Sequence, residues 1–207
     1  MKKEKICLMV ALVMALIITG TLVRERHFLV EARAKVSQEE LAGEVLRFHV
    51  LANSDGEEDQ QLKLKVKENV LLYMKKHLPE DADLSETRNW VRENLKQLEG
   101  EAEKTLLEEN SSDTVNAKLE NVMFPKKTYG DVTFPAGEYE ALQIEIGEAK
   151  GQNWWCCLYP NLCFIDAVHA VVPEEGKQEL ENVLDEDSYE MVTANTHFKI
   201  KWFFFGK

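Results

Sequence analysis

The chain has 207 residues, 44% of them hydrophobic and 30% charged, with a formal net charge of −12. That hydrophobic share supports one ordinary core and argues against wholesale disorder. Residues 1–36 carry seven Lys/Arg against three acids, which leaves −16 for the rest of the chain. Phosphate backbones and anionic headgroups both repel such a body, so nucleic-acid binding is disfavoured and membrane contact falls to the N-terminal segment.

Lys2, Lys3 and Lys5 precede an unbroken apolar run from Ile6 to Ile18, and Thr19-Gly20-Thr21 interrupt it before Leu22 and Val23. A basic start, an apolar middle and small residues after it form the pattern of an export signal. The stretch from Ile6 to Val23 is uncharged and sits at the lower limit for crossing a bilayer. Cleavage after Gly20 or Thr21 and retention as an anchor are both open. The preceding lysines keep the N-terminus in the cytoplasm and send the remainder across. Residues 1–23 are therefore expected to be a signal peptide or membrane anchor, with a buried core helix as the bland alternative. Residues 24–43 follow as a polar juxtamembrane linker or short helix, and 44–207 as an exported domain.

Val45 to Ala52 is rich in β-formers and ends in Asn53-Ser54-Asp55-Gly56, a strand followed by a turn. Ser54 with Glu57, or Asp55 with Glu58, then suits a capping box. Leu62, Val66, Val70, Tyr73 and His77 mark one face of a helix that stops at Pro79. A second helix, capped by Asp83 or Ser85, carries the stripe Val91, Leu95, Leu98, Ala102 and Leu106. Strands at 115–119, 128–134 and 139–146 read as an antiparallel meander, with a short one at 154–158. A short acidic helix spans 174–184, with another helical turn near Asp187. Phe198 to Phe204, with every even position apolar, closes the chain as a strand. The expected fold class is α+β: a membrane-targeting helix, then one domain with a strand and two helices leading into an antiparallel sheet.

Export changes how the cysteines read. Cys156, Cys157 and Cys163 would occupy a compartment where disulfides persist. Adjacent cysteines rarely pair with each other. Cys156–Cys163 is the favoured bond, with Cys157–Cys163 and three buried thiols as alternatives. A zinc site is disfavoured, because the spacing is wrong and His169 alone would have to complete it.

No lipase elbow, zinc-protease helix, phosphate-binding loop, dinucleotide fingerprint or aspartic-protease loop occurs. Two weaker arrangements remain. His49, at the end of a strand near Asn53, Asp55, Glu57, Glu58 and Asp59, has the residue types of a general base or ion site. The bland reading is a solvated acidic first turn of helix. Cys156 or Cys157 with His169 would be a thiol–imidazole pair, against which stands the usual oxidation of exported cysteines. Trp154 and Trp155 fall on opposite faces of a strand, so one ring can be core while the other faces a partner. The bland reading packs both.

Three blocks resemble a known family. Leu46 to Asp55, continuing through Glu58-Asp59-Gln60 to Val66, is similar to the opening block of stage II sporulation protein R. Pro135 to Leu142 is similar to its middle block. Ile146-Gly147-Glu148 with Gly151 to Cys156, then Pro160 and Cys163-Phe164, is similar to its third. The blocks stand in family order and the resemblance runs from about residue 44 to 204, with Cys157 a departure. It implies an exported signalling protein, made in the forespore and sent into the space between the two sporulation membranes. There such a protein triggers a membrane-embedded aspartic protease of the mother cell that processes the precursor of sigma factor E. The resemblance supplies no catalytic residue, cofactor or small-molecule substrate. His49, Asn53, Asp55, Trp154 and Trp155 are the candidate partner-binding residues. The rival is an exported hydrolase or ligand-binding domain using His49 and the acidic turn.

Overall fold

The computed structural model describes residues 2–160, 163, 172 and 174–193. The chain divides into two units, residues 1–39 and 40–207. The first lies within a single helix, α1 (Lys2–Glu44), of 43 residues. Residues 24–43, read as linker or short helix, continue that helix without a break. Among the described residues no helix is long and apolar enough to cross a membrane. In the apolar run the described side chains are Met9 and those from Leu12 to Val23, fewer than a crossing needs, so the anchor stays an expectation.

The second unit is built on a four-stranded sheet in the order β2-β5-β1-β6. Its strands are β1 (Leu46–Leu51), β2 (Val115–Phe124), β5 (Gly137–Ile146) and β6 (Asn153–Tyr159). β1 runs parallel to β5, pairing Phe48 with Leu142 and Val50 with Ile144. It runs antiparallel to β6, pairing His49 with Trp155. β2 pairs antiparallel with β5 along its whole length. Between β2 and β5, the strands β3 (Lys127–Tyr129) and β4 (Val132–Phe134) form a two-stranded sheet of their own.

The sheet is therefore mixed, and the expected antiparallel meander is corrected. The reason lies in β1. Leu46, Phe48 and Val50 are fully buried, and so are Arg47 and His49 on the other face. A strand buried on both faces belongs in the middle of a sheet, and its parallel partner is reached only by a long crossover. That connection runs through the helices α2 (Glu57–His77), α3 (Leu84–Glu93) and α4 (Leu95–Glu108) and then through β2, β3 and β4.

Two hydrophobic clusters sandwich the sheet. On one face Leu46, Phe48, Val50, Leu142 and Ile144 meet Val66, Val70, Leu98, Ala102 and Leu106 of α2 and α4. On the other, Ala141, Tyr139, Phe124 and Cys157 meet Phe134 of β4, Leu41 and Val45, and two short helices, α5 (Glu174–Val183) and α6 (Glu186–Thr193). The α5–α6 pair follows the acidic pattern as read from the sequence. The closing strand expected at 198–204 lies outside the described residues.

Two helix boundaries differ from expectation. The stripe from Val91 to Leu106 is divided between α3 and α4 at Asn94. That side chain donates to the Trp90 carbonyl at 2.8 Å, and its backbone N–H is shared by the carbonyls of Trp90 and Val91. Asparagine competes with the helix for its own backbone, which ends one helix and lets the next start. Asp83 does cap α3, in a capping box with Glu86. α2, by contrast, starts at Gly56 with no side-chain cap. The residues expected to cap it are used elsewhere.

Candidate interaction site

The Asn53–Gly56 turn locks onto the loop between β5 and β6. Asn53 Oδ1 accepts the Glu148 N–H at 2.9 Å, and Asp55 Oδ1 accepts the Gln152 N–H at 2.7 Å. Backbone bonds run the same way, from Lys150 N–H to the Asn53 carbonyl and from Gly151 N–H to the Ala52 carbonyl. Asp59 Oδ2 takes hydrogen bonds from Asn53 Nδ2 and Ser54 Oγ. Lys63 ties Gln60 to the Gln152 carbonyl. Glycine is required at both points of closest approach. Gly147 has φ +57°, and a Cβ on it would strike the Asn53 side chain, while a Cβ on Gly151 would strike the Ser54 carbonyl. The turn and the loop thus form a clasp at one end of the sheet.

β6 leads out of that clasp with its two tryptophans, and they do occupy opposite faces. Trp154 meets Phe48 edge-on, with centroids 5.8 Å apart, and Lys67 lies over its ring. Trp155 stacks on His49 at 4.8 Å and meets Phe124 edge-on, with Lys127 over it. Both rings are half-buried, each packed inward on one side. Each therefore combines the packed reading with an accessible rim.

His49 is corrected as a surface contact, being only 2% exposed. Its Nε2 faces Gln143 Oε1 at 3.0 Å, and Gln143 Nε2 donates to Glu145 Oε1 at 2.5 Å. With the amide oriented that way, the imidazole carries its proton on Nε2. Nδ1 is left buried and unpartnered among the described residues. Burial holds the imidazole neutral, with its pKa lowered to about 4. The acids that sequence proximity put beside it are elsewhere. Asp55 and Asp59 serve the clasp, and Glu58 and Asp59 line an open polar groove of about 540 Å³ with Asn53, Lys65, Glu109 and Asp113. His49 does not line that groove, so the histidine–carboxylate pairing on which a hydrolase reading rests is not assembled.

Arg47, next to the strand neighbours Leu46 and Phe48, is a residue whose role sequence reasoning missed. Its guanidinium is fully buried against four rings, 4.5 Å from the Phe124 centroid and 4.7 Å from that of Phe134, with Tyr129 and Tyr139 completing the cage. Nε donates to the Cys156 carbonyl and Nη2 to the Tyr129 hydroxyl, both at 3.0 Å. Nη1 has no hydrogen-bond partner among the described residues. An arginine inside a run of β-formers was the available signal.

Cys156, Cys157 and Cys163 are free thiols here, so the Cys156–Cys163 bond is not formed in this structure. Burial pushes the Cys157 and Cys163 thiols up from their ordinary pKa. His169, needed for the thiol–imidazole and zinc readings, lies outside the described residues.

The strand, the clasp and the tryptophan-bearing β6 come from the blocks quoted above. The family model described as Stage II sporulation protein R matches residues 42–169, from the end of α1 through β6. The chain belongs to that family. It is also 34% identical over 152 residues to Stage II sporulation protein R of Bacillus subtilis (strain 168), covering 73% of this chain and 68% of that protein. No solved structure matches. Membership of the stage II sporulation protein R family gives the chain a role in sporulation, under a family name that is not that of an enzyme.

Proposed function

We propose that the chain is an exported sporulation signal and not an enzyme: a ligand that switches on a membrane-embedded aspartic protease of the mother cell. That protease processes the precursor of sigma factor E. The observation that carries the reading is the family match from residue 42 to 169, which spans the whole sheet. The basic start and apolar run of residues 1–23 support delivery to the space between forespore and mother cell, with or without anchoring by residues 6–23. The acidic charge of the body repels anionic headgroups, which favours a protein as the partner. The contact surface is the clasp end of the domain, with Asp55, the rims of Trp154 and Trp155, and Asn53 holding the turn in place. Activation works by differential affinity: the ligand binds the competent arrangement of the protease more tightly than the idle one and shifts the population toward it.

Co-expression of the full chain with the protease and the precursor, scored for precursor cleavage, tests this. Cleavage that requires the chain supports the reading. Cleavage that proceeds equally without it refutes the activating role.

A further inference from the structure

The thiols of β6 have a geometry that the spacing alone left open. Alternation along a strand sends Trp154, Cys156 and Leu158 to one face and Trp155 and Cys157 to the other. Cys157 is accordingly buried in the cluster beneath α5 and α6. Cys163, past the Pro160 turn, packs against the opposite cluster, with Leu158 and Trp154. It donates to the Cys157 carbonyl at 3.0 Å, the same carbonyl that the Cys156 thiol faces at 3.5 Å, so the two thiols converge on one oxygen. Cys157 instead directs its thiol to the Tyr159 carbonyl at 3.1 Å. The sheet itself therefore separates Cys157 from the other two.

We infer that Cys156 and Cys163 form a redox-active pair that closes to a disulfide by thiol–disulfide exchange, while Cys157 stays a thiol in both states. Cys163 is the less buried member, so an external disulfide reaches it first. The small fraction of Cys163 present as thiolate attacks a sulfur of that disulfide, and one half of the reagent leaves as a thiol. The Cys156 thiolate then attacks Cys163 in the mixed disulfide and releases the second half. Two thiols are oxidised, one disulfide is reduced to two thiols, and the protons leave with the products. The bond fastens Cys163 to strand β6. The inference does not depend on the protease reading, since it concerns only which sulfurs meet.

The test uses the reduced full chain with oxidised glutathione as the oxidant, followed by alkylation, intact mass and peptide mapping. The expected product is lighter than the reduced chain by two hydrogen atoms, links residue 156 to residue 163, and alkylates at Cys7 and Cys157 once unfolded. The Cys157→Ala chain, which keeps both partners, is expected to give the same bond and the same upward shift in melting temperature on oxidation. A bond from Cys157 to Cys163, or no intramolecular bond in the Cys157→Ala chain while that chain melts cooperatively, overturns the pairing.

Discussion

Asn53 and Glu148 are ninety-five residues apart, yet the side chain of one holds the backbone N–H of the other at 2.9 Å. Through that bond the opening and third family-like blocks become one surface. The positive φ of Gly147 brings the loop close enough to make it. Replacing Gly147 by Ala imposes both a left-handed backbone and a collision with Asn53, at a cost of about 2–4 kcal/mol. Asn53→Ala removes the acceptor for Glu148 and the donor to Asp59, a loss of about 1–3 kcal/mol. Urea unfolding of the two variants checks both values, and a midpoint equal to wild type in either contradicts the clasp.

Tyr129→Phe deletes a single oxygen, but among the described residues it is the only hydrogen-bond partner of Arg47 Nη2. The guanidinium would then hold two nitrogens without a hydrogen-bond partner among the described residues, since Nη1 already lacks one there. The expected loss is about 1–3 kcal/mol, well beyond an ordinary exposed Tyr→Phe change. Arg47→Met, by contrast, removes the buried charge with its need for partners and keeps most of the volume, so it is expected to cost less than Arg47→Ala. Thermal melts of the three variants decide the order.

His49 gives the domain a specific acid sensitivity. Its pKa is lowered from the ordinary value to about 4 by burial, so below about 6.5 the unfolded chain binds a proton that the native state refuses. Stability contributed by the neutral imidazole is therefore complete above that pH and falls as the pH drops toward 4. The loss reaches about 3 kcal/mol at most, with a slope of about 1.4 kcal/mol per pH unit. His49→Gln keeps a donor toward Gln143 and cannot titrate. In denaturant unfolding the stability of wild type relative to this variant is expected to fall by up to about 3 kcal/mol from pH 7 to pH 4. A difference independent of pH contradicts the assignment.

Trp154 and Trp155 each pair a packed side with an accessible one, so truncation to alanine mixes folding with recognition. Phenylalanine keeps much of the packing against Phe48 or His49 and trims the outer rim. At matched stability, Trp154→Phe or Trp155→Phe is expected to reduce precursor cleavage by about tenfold, the scale of one hot-spot contact. Wild-type cleavage in both removes the tryptophans from the contact surface.

Periodicity exposed most of the elements because each is locally consistent. Leu62 to His77 shows a helical period, Asp83 and Glu86 a capping box, and Leu46 to Leu51 a run of β-formers. The sheet order was hidden because pairing is a long-range choice. Nothing local says that β1 lies beside β5 and not beside a hairpin neighbour. Only the burial of Arg47 and His49 on its second face requires a central place. The same limit explains the site. Nearness in sequence grouped His49 with Asp55, but the strand turns its imidazole toward Trp155 and Gln143, while Asp55 reaches across to Gln152. Asp55 looked like a helix cap for the same reason, but its partner Gln152 lies ninety-seven residues away, while Ser54 donates to the side chain of Asp59.

The activating role is tested most directly with the protease and the precursor reconstituted together in vesicles. The purified full chain is added to the face opposite the precursor, and the rate of cleavage is followed. A rate that rises with concentration of the chain and saturates is the expected result. A rate unchanged at concentrations where the chain is shown to bind the vesicle-borne protease would contradict activation by this ligand.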